Sequence, residues 1–256
     1  MSTDAAPRRI RVIGIGAGHP DQVTVEAVEA LRSVDYFVTA DKPRKDGADD
    51  PLLAAREALL ARHLDVVPPV IAVRDPERDR SPSDYDQAVV DWHDARAAAY
   101  EQVLLDNEGD VGFLVWGDPA FYDSTIRIVE KVLARGQVEA EWDVIPGISS
   151  LQQLAARHRI VLHDIGQPIL VTTGRRLHEA RDSGAENILV MLNSTIDLEG
   201  FEEWTIWWGA NLGTADEALV SGRVTEVAVE VLTTRIDVKT RVGWIMDVYL
   251  LRRIAR

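Results

Sequence analysis

The sequence contains no cysteine, which excludes disulfides, thiolate metal sites and a cysteine nucleophile. It has no apolar run close to the ~18 residues that a membrane-spanning helix needs. Basic residues are scarce, with 28 Lys and Arg against 42 Asp and Glu and a formal net charge of −14. This excess of negative charge argues against general binding to nucleic acid or to an anionic membrane. Met1–Arg9 contain no apolar signal core, so we expect a cytoplasmic protein.

The 256 residues otherwise have an ordinary globular composition, 46% hydrophobic and 27% charged, enough for one large domain or two small ones. Short β-branched runs alternate with segments of helical spacing, which predicts an α/β fold. An N-terminal domain of residues 1–122 is predicted to contain a mainly parallel sheet. Its predicted strands are 10–15, 36–39, 66–73 and 111–116, and its predicted helices are 24–31, 51–63 and 85–103.

Residues 123–256 form the second predicted domain, which begins with a helix over about 124–135. Gly136 follows that helix and is typical of a left-handed C-terminal cap. The later strands follow one another with only short helices between some of them, which favours hairpins and a mixed sheet. The predicted strands are 144–145, 169–172, 188–192, 205–208, 227–233 and 242–250, with a short helix at 151–157.

Glycine, proline and aspartate are concentrated in loops after predicted strands, where α/β sheets bind ligands. In the first loop, Gly14–Asp21, glycines allow a ligand to approach the backbone closely. The loop departs from the G-x-G-x-x-G dinucleotide fingerprint because His19 takes the place of the third glycine and Pro20 follows it. An NAD(P)-dependent oxidoreductase is therefore the weaker alternative, and a tight turn without a ligand also remains open.

The second loop, Trp116–Thr125, contains Gly117-Asp118-Pro119 followed by two aromatic residues. Gly117 can bend sharply and Pro119 lacks an N–H group, so the main chain turns away from the sheet and exposes peptide groups. Asp118 either caps this turn or accepts hydrogen bonds from a polar ligand.

The third loop contains Pro146-Gly147, which prescribes a turn. Ser149 or Ser150 then caps the next helix, which leaves the other hydroxyl for a ligand. A fourth loop, 172–176, follows a strand of the second half. In the strand after it, Met191 is either a core residue or a ligand contact.

In this order, the turns resemble those of the tetrapyrrole methylases, S-adenosylmethionine-dependent methyltransferases that act on precursors of cobalamin and sirohaem. Ile13–Thr24 is similar to the family pattern V-G-x-G-P-G-D-P-x-x-x-T, with Ala17 for the usual proline and His19 for the usual aspartate. Two later signatures of the family fall on Gly117-Asp118-Pro119 and Val144–Ser150. Members that methylate a precorrin and remove an acetyl group are similar in Asp91–Arg96, Trp116–Thr125 and Gly243–Tyr249.

The resemblance implies two α/β domains, usually in a homodimer, with S-adenosylmethionine held in a cleft between them. No metal-ligand spacing can be picked out of the sequence, so we expect no metal site. It implies methylation of precorrin-5 at a ring carbon with loss of acetate, giving precorrin-6A and S-adenosylhomocysteine in cobalamin biosynthesis. The implied donor contacts are Ala17, Trp116, Gly117, Asp118, Phe121, Ser149, Ser150, Met191 and Ala210. The nearest alternative is the same fold acting on another precorrin or on uroporphyrinogen, and a binding module without activity also stays open.

Acetate loss needs a water, and a base at the site would help to activate it. The candidate bases are His19, Asp118 and Asp123. As alternatives, His19 is a solvated turn residue, Asp118 caps its turn and Asp123 caps the next helix. A substrate with several carboxylates also calls for cations, and arginine pairs well with carboxylates. The candidates are Arg44, Lys45 and Arg175, in loops after predicted strands, with solvated surface charge as the alternative.

Overall fold

The computed structural model describes residues 7–41, 51–74, 76 and 85–253. The chain divides into two compact units, each built around a five-stranded sheet. The first unit ends at Ile148 and the second begins at Ser149, except that Ala17–His19 group with the second unit. The α/β fold predicted from the sequence is confirmed.

The sheet of the first unit is parallel throughout. Its strands are β1 (Arg9–Gly14), β2 (Tyr36–Asp41), β3 (Val70–Arg74), β4 (Val111–Val115) and β5 (Glu141–Ile145). They lie in the order β3-β2-β4-β1-β5, and each neighbouring pair is parallel. β4 is buried along its whole length, as expected for a central strand with helices on both faces. All five strands therefore end at the same edge of the sheet.

Helices cover both faces of this sheet. They are α1 (Val25–Arg32), α2 (Pro51–His63), α3 (Tyr85–Asp106) and α4 (Thr125–Ala134). One apolar cluster holds α3 and α4 against one face, and another holds α1 and α2 against the opposite face. The Thr24 hydroxyl caps α1 by accepting a hydrogen bond from Ala27 N at 3.0 Å. Gly136 has φ +75° just after α4, which confirms the predicted cap.

The sheet of the second unit is mixed, as predicted. Its strands are β6 (Leu170–Thr173), β7 (Asn187–Met191), β8 (Trp204–Ala210), β9 (Ala218–Arg223) and β10 (Asp247–Arg253). They lie in the order β6-β7-β10-β8-β9. Only the β6–β7 pair is parallel, and the other three pairs are antiparallel. β9 was not among the predicted strands.

The described residues of this unit form three α-helices: α5 (Ser150–His158), α6 (Leu177–Asp182) and α7 (Val224–Val242). The strand predicted at 227–233 is wrong, because these residues lie within α7. The strand predicted at 242–250 begins only at Asp247, after α7 has ended at a left-handed Gly243 with φ +80°. The expectation of only short helices in this half is therefore also wrong.

The division between the units differs from the boundary predicted between residues 122 and 123. β5 pairs in parallel with β1, from Arg9 opposite Glu141 to Ile13 opposite Ile145. Residues 123–148 thus provide the last helix and the edge strand of the first sheet, and the second unit starts one helix later.

Candidate functional site

Three of the loops singled out in the sequence follow neighbouring strands of the first unit. β4, β1 and β5 lie side by side and run in parallel, so their C-terminal loops emerge together at one edge. The first two loops are joined directly through their backbones. Gly117 N donates to Gly16 O at 2.8 Å, and Gly16 N donates to Gly117 O at 3.2 Å.

The third loop meets the other two at glycine residues. A Cβ atom at Gly14 would lie 2.6 Å from Gly147 N, and a Cβ atom at Gly147 would overlap Gly117 O. Gly117 has φ +72°, a conformation that residues with side chains rarely adopt. The three loops can approach this closely only because each contributes a glycine, which leaves peptide backbone at the centre of the site.

Asp118 fixes the second loop against the third. Its Oδ1 accepts a hydrogen bond from Ala120 N at 2.8 Å, and its Oδ2 accepts one from Gly147 N at 2.9 Å. Hydrogen bonds to a carboxylate are stronger than those between neutral groups. Of the roles considered for Asp118, the structure gives it the turn cap, and the same carboxylate also links two loops.

The second loop continues through exposed aromatic residues to the start of α4. Trp116 is half-buried, whereas Phe121 and Tyr122 are 38% and 45% exposed. Tyr122 has φ +52°, which is uncommon for a bulky residue. Asp123 Oδ1 accepts a hydrogen bond from Thr125 N at 2.6 Å, so its carboxylate has the helix-cap role that was the alternative to a base.

In the second unit, one of the two predicted serines caps α5. The buried Ser149 hydroxyl accepts from Gln152 N at 3.4 Å, while Gln152 Oε1 accepts from Ser149 N at 2.7 Å. This is a reciprocal capping box. Ser150 is the first residue of α5 and is half-buried. The prediction that one of the two serines caps the helix is therefore confirmed for Ser149.

The other predicted site residues differ widely in exposure. Ala17 is buried, and His19, two residues further on, is exposed. Met191 is half-buried at the end of β7, and Ala210 is fully buried at the end of β8. Arg175 is exposed in a short 3₁₀ turn after β6. The candidate residues Arg44 and Lys45 lie outside the described residues.

Comparison with known proteins assigns the family. Residues 9–228 match the family model of the Tetrapyrrole (Corrin/Porphyrin) Methylases. The chain belongs to this family. A precorrin-6A synthase [deacetylating] from Sinorhizobium sp is 45% identical over 258 aligned positions, which cover 98% of this chain and 97% of that relative.

Solved structures of similar proteins agree with the assignment of this chain to the methylase family. The cobalamin synthesis related protein CobF from Corynebacterium diphtheriae has a TM-score of 0.82 and 37% identity, covering 98% of this chain and 100% of that one. A uroporphyrin-III C-methyltransferase from Thermus thermophilus, solved with S-adenosylhomocysteine, has a TM-score of 0.59 and 16% identity. The alignment covers 95% of this chain and 92% of that one, and at this identity it supports the fold alone.

A buried polar group in the second unit of this methylase was missed by sequence reasoning. The Asp247 carboxylate, at the start of β10, accepts from Arg235 Nε at 2.7 Å and from Trp208 Nε1 at 3.3 Å. Arg235 also donates to Asn193 O at 2.9 Å, which ties α7 to the segment after Met191. The sequence did not reveal this group because its wrongly predicted strands at 227–233 and 242–250 obscured α7.

Next to this group, burial raises the pKa of Tyr249, and the neighbouring Asp247 carboxylate raises it further. The phenol therefore keeps its proton throughout the physiological pH range. Arg235, by contrast, supplies the positive charge that the buried Asp247 carboxylate requires. The group thus joins α7 to the start of β10 and to the segment that follows β7.

In the part of the methylase that the structure describes, no helix has the length and apolar character that a membrane span requires. Within the same residues, no group of three or more His, Asp or Glu side chains is placed to hold a metal ion.

Proposed function

We propose that this protein transfers a methyl group from S-adenosylmethionine to a ring carbon of precorrin-5 and releases acetate, giving precorrin-6A in cobalamin biosynthesis. The Sinorhizobium relative named for this deacetylating synthesis supports the proposal, because the two sequences align along almost their whole lengths. CobF, at 37% identity over the full structure, also supports it. The S-adenosylhomocysteine in the Thermus structure supports a nucleoside donor within the same fold.

The observation that carries the proposal is the junction of Gly14, Gly117 and Gly147. S-adenosylmethionine supplies a methyl group on a positively charged sulfur, which leaves as a neutral thioether. The protein therefore needs to position the reactants and exclude water more than it needs to supply an acid. The backbone at these glycines, with Gly147 N hydrogen-bonded to Asp118, forms a surface that a nucleoside can approach closely.

We assign donor binding to the loops at the sheet edge of the first unit and to strand and helix ends of the second. In the first unit these residues are Trp116, Gly117, Asp118 and Phe121. In the second unit, which includes the grouped segment Ala17–His19, they are Ala17, Ser149, Ser150, Met191 and Ala210. Since the Ser149 hydroxyl is engaged in the capping box, Ser150 is the serine whose side chain we assign to the donor.

For acetate release we propose His19 as the base. Asp118 uses both carboxylate oxygens to hold the loops, and Asp123 caps α4. His19 is exposed within the first loop and can accept a proton from the water that acetate loss consumes.

His19→Ala should slow acetate release while affinity for S-adenosylhomocysteine stays the same, as measured by acetate assay and calorimetry. Equal rates of acetate release in the variant and the unaltered protein would remove His19 from this role.

Arg44, Lys45 and Arg175 remain the proposed partners of the substrate carboxylates. Arg175 lies on an exposed turn after β6, which is compatible with that role.

We also propose, from the family resemblance, a homodimer in the cytoplasm. Light scattering of the purified protein measures its assembly state directly.

The deciding experiment follows both products and binding. Incubation with precorrin-5 and S-adenosylmethionine should give a product that has gained a methyl group and lost an acetyl group by mass spectrometry. Gly117→Arg should abolish calorimetric binding of S-adenosylhomocysteine, because Gly117 has φ +72°, which a residue with a side chain rarely adopts, and a changed backbone there would disrupt the glycine junction. Methyl gain with retention of the acetyl group would point to another acceptor. Binding of NAD(P), with no binding of S-adenosylhomocysteine, would point to an oxidoreductase and overturn the proposal.

A further inference from the structure

One face of α3 carries a buried guanidinium between two aromatic rings. Trp92, Arg96 and Tyr100 are spaced by four residues and so lie along one side of the helix. The Arg96 guanidinium carbon lies 4.8 Å from the ring centre of Trp92 and 5.5 Å from that of Tyr100. Arg96 is only 6% exposed. A buried cation is costly unless its donors are satisfied, so its hydrogen bonds are informative.

The Arg96 guanidinium reaches the end of the second loop. One terminal nitrogen donates to Ser124 Oγ at 2.6 Å, and the other donates to Tyr100 OH at 3.0 Å. Ser124 stands at the N-terminus of α4, yet its hydroxyl makes no capping hydrogen bond to the helix. Asp123 makes that bond instead, to Thr125 N. The Ser124 side chain is therefore directed to Arg96 rather than to its own helix.

The second loop is consequently held at both ends. Asp118 fixes its beginning through Ala120 and Gly147, and Arg96 fixes its end through Ser124. Between these two attachments lie the exposed Phe121 and Tyr122, the latter with φ +52°. An uncommon backbone conformation persists only where its surroundings hold it, and such conformations are concentrated at functional sites.

We propose that Arg96 is a positioning residue: by holding Ser124, it keeps the backbone of Phe121–Ser124 in the conformation that binds the nucleoside donor. The inference rests on the proposed function, since that function places the donor on this loop. Lysine should not replace Arg96, because the planar guanidinium donates from two separate nitrogens in a fixed geometry while it lies over two rings, whereas an ammonium is a single point of positive charge.

The same two helices provide a matched control. Arg135, just after α4, donates from Nε to the buried Glu101 carboxylate of α3 at 2.8 Å. This contact also joins α3 to α4, but at the end of α4 away from the loop. If Arg96 merely packs the helices together, weakening the Glu101 contact with Glu101→Gln should have a similar effect on ligand binding.

The test measures S-adenosylhomocysteine binding by calorimetry and thermal unfolding for the full chain and four variants. Ser124→Ala and Arg96→Lys should weaken binding by about tenfold, which is the loss expected for one hydrogen bond to a charged group. Ser124→Thr keeps the hydroxyl and should bind as the unaltered protein does. Glu101→Gln should lower the unfolding temperature without changing the affinity.

In steady-state kinetics, Ser124→Ala should raise the KM for S-adenosylmethionine by a larger factor than the factor by which it lowers kcat. Equal affinities in all variants would overturn the inference, as would a loss in Glu101→Gln as large as that in Ser124→Ala. If the unaltered protein does not bind S-adenosylhomocysteine at all, the proposed function fails first and the role of Arg96 fails with it. If Glu101→Gln is the one variant that binds S-adenosylhomocysteine more weakly, the role of Arg96 is contradicted while the proposed function stands.

Discussion

At the residue scale, Asp118 illustrates how one carboxylate can fix the conformation of two loops. Each of its oxygens accepts a hydrogen bond from a backbone N–H group, one from Ala120 in its own turn and one from Gly147. Loss of either acceptor would release one of the two loops. We therefore expect Asp118 to control donor affinity rather than the rate of the chemical step.

Asp118→Asn tests this expectation. The asparagine NH₂ group would face one of the two backbone N–H donors, so one of the two hydrogen bonds would be lost. The free energy of unfolding should fall by about 1–3 kcal/mol, and S-adenosylhomocysteine should bind more weakly in calorimetry. Asp35→Asn is the control, since Asp35 Oδ2 accepts from Asp110 N at 2.7 Å at the opposite edge of the same sheet. That variant should lose stability but keep its affinity. A lower kcat with unchanged affinity in Asp118→Asn would instead make Asp118 the base.

Individual turns could be predicted from the sequence, but their mutual contacts could not. Pro146-Gly147 was predicted as a turn, and Ser149 was one of the two predicted caps, because both depend on neighbouring residues. The contact of Gly147 with Gly14 and Gly117 joins residues that are far apart in the chain. No local pattern encodes that contact, so the sequence located the loops and the structure revealed how they fit together.

At the scale of elements, α7 is the main departure from the predicted fold. Its β-branched residues favour a strand by intrinsic preference, which explains the predicted strand at 227–233. The burial pattern is helical, since Val224, Val231 and Val238 are buried at intervals of seven residues. Packing against the sheet overrides the weak intrinsic preference of these side chains.

Two valines of α7 allow a direct test. In a strand, Val229 and Val231 would share a face, but here Val229 is 75% exposed and Val231 is 0% exposed. Val231→Ala should lower the free energy of unfolding by about 2 kcal/mol. Val229→Ala should change it by at most about 0.5 kcal/mol, toward greater stability, because alanine is the better helix former. Similar losses in both variants, measured by urea unfolding, would contradict the helix.

Helix α5 carries a histidine that should make stability depend on pH. Burial lowers the pKa of His158 below 6.5, outweighing the hydrogen bond to Trp208 O at 3.0 Å, which raises it. Below pH 6.5 the unfolded chain therefore binds a proton more readily than the folded protein, and stability falls as the pH falls. The free energy of unfolding should decrease between pH 7.5 and 5.5, and less steeply in His158→Gln. His163→Gln, which replaces an exposed histidine, should keep the original slope; equal slopes in all three proteins would contradict this assignment.

At the scale of the whole molecule, alternation of strands and helices was sufficient to predict a parallel sheet followed by a mixed one. The division between them was predicted too early, because no local signal shows that β5 returns to pair with β1. Pairing between distant segments is a property of the folded chain. The family motifs, in contrast, are short and ordered, which is why the family assignment could be made before the fold was known.

The net charge of −14 leads to a prediction about the two nucleosides. S-adenosylmethionine carries one net positive charge, while S-adenosylhomocysteine carries none, although their shapes are almost the same. The negative potential of the protein should favour the cationic donor, and salt should weaken that preference, because the screening length falls from about 30 Å at 0.01 M to about 10 Å at 0.1 M.

Calorimetry across this range of salt should therefore show the Kd of S-adenosylmethionine rising severalfold while that of S-adenosylhomocysteine stays nearly constant. The polycarboxylate substrate should respond in the opposite direction, with kcat/KM increasing as repulsion is screened. If both nucleosides respond equally to salt, the charges that the donor experiences are those of its immediate surroundings. Recognition of the donor would then depend on those nearby groups, and the overall acidity of the molecule would have no part in selecting it.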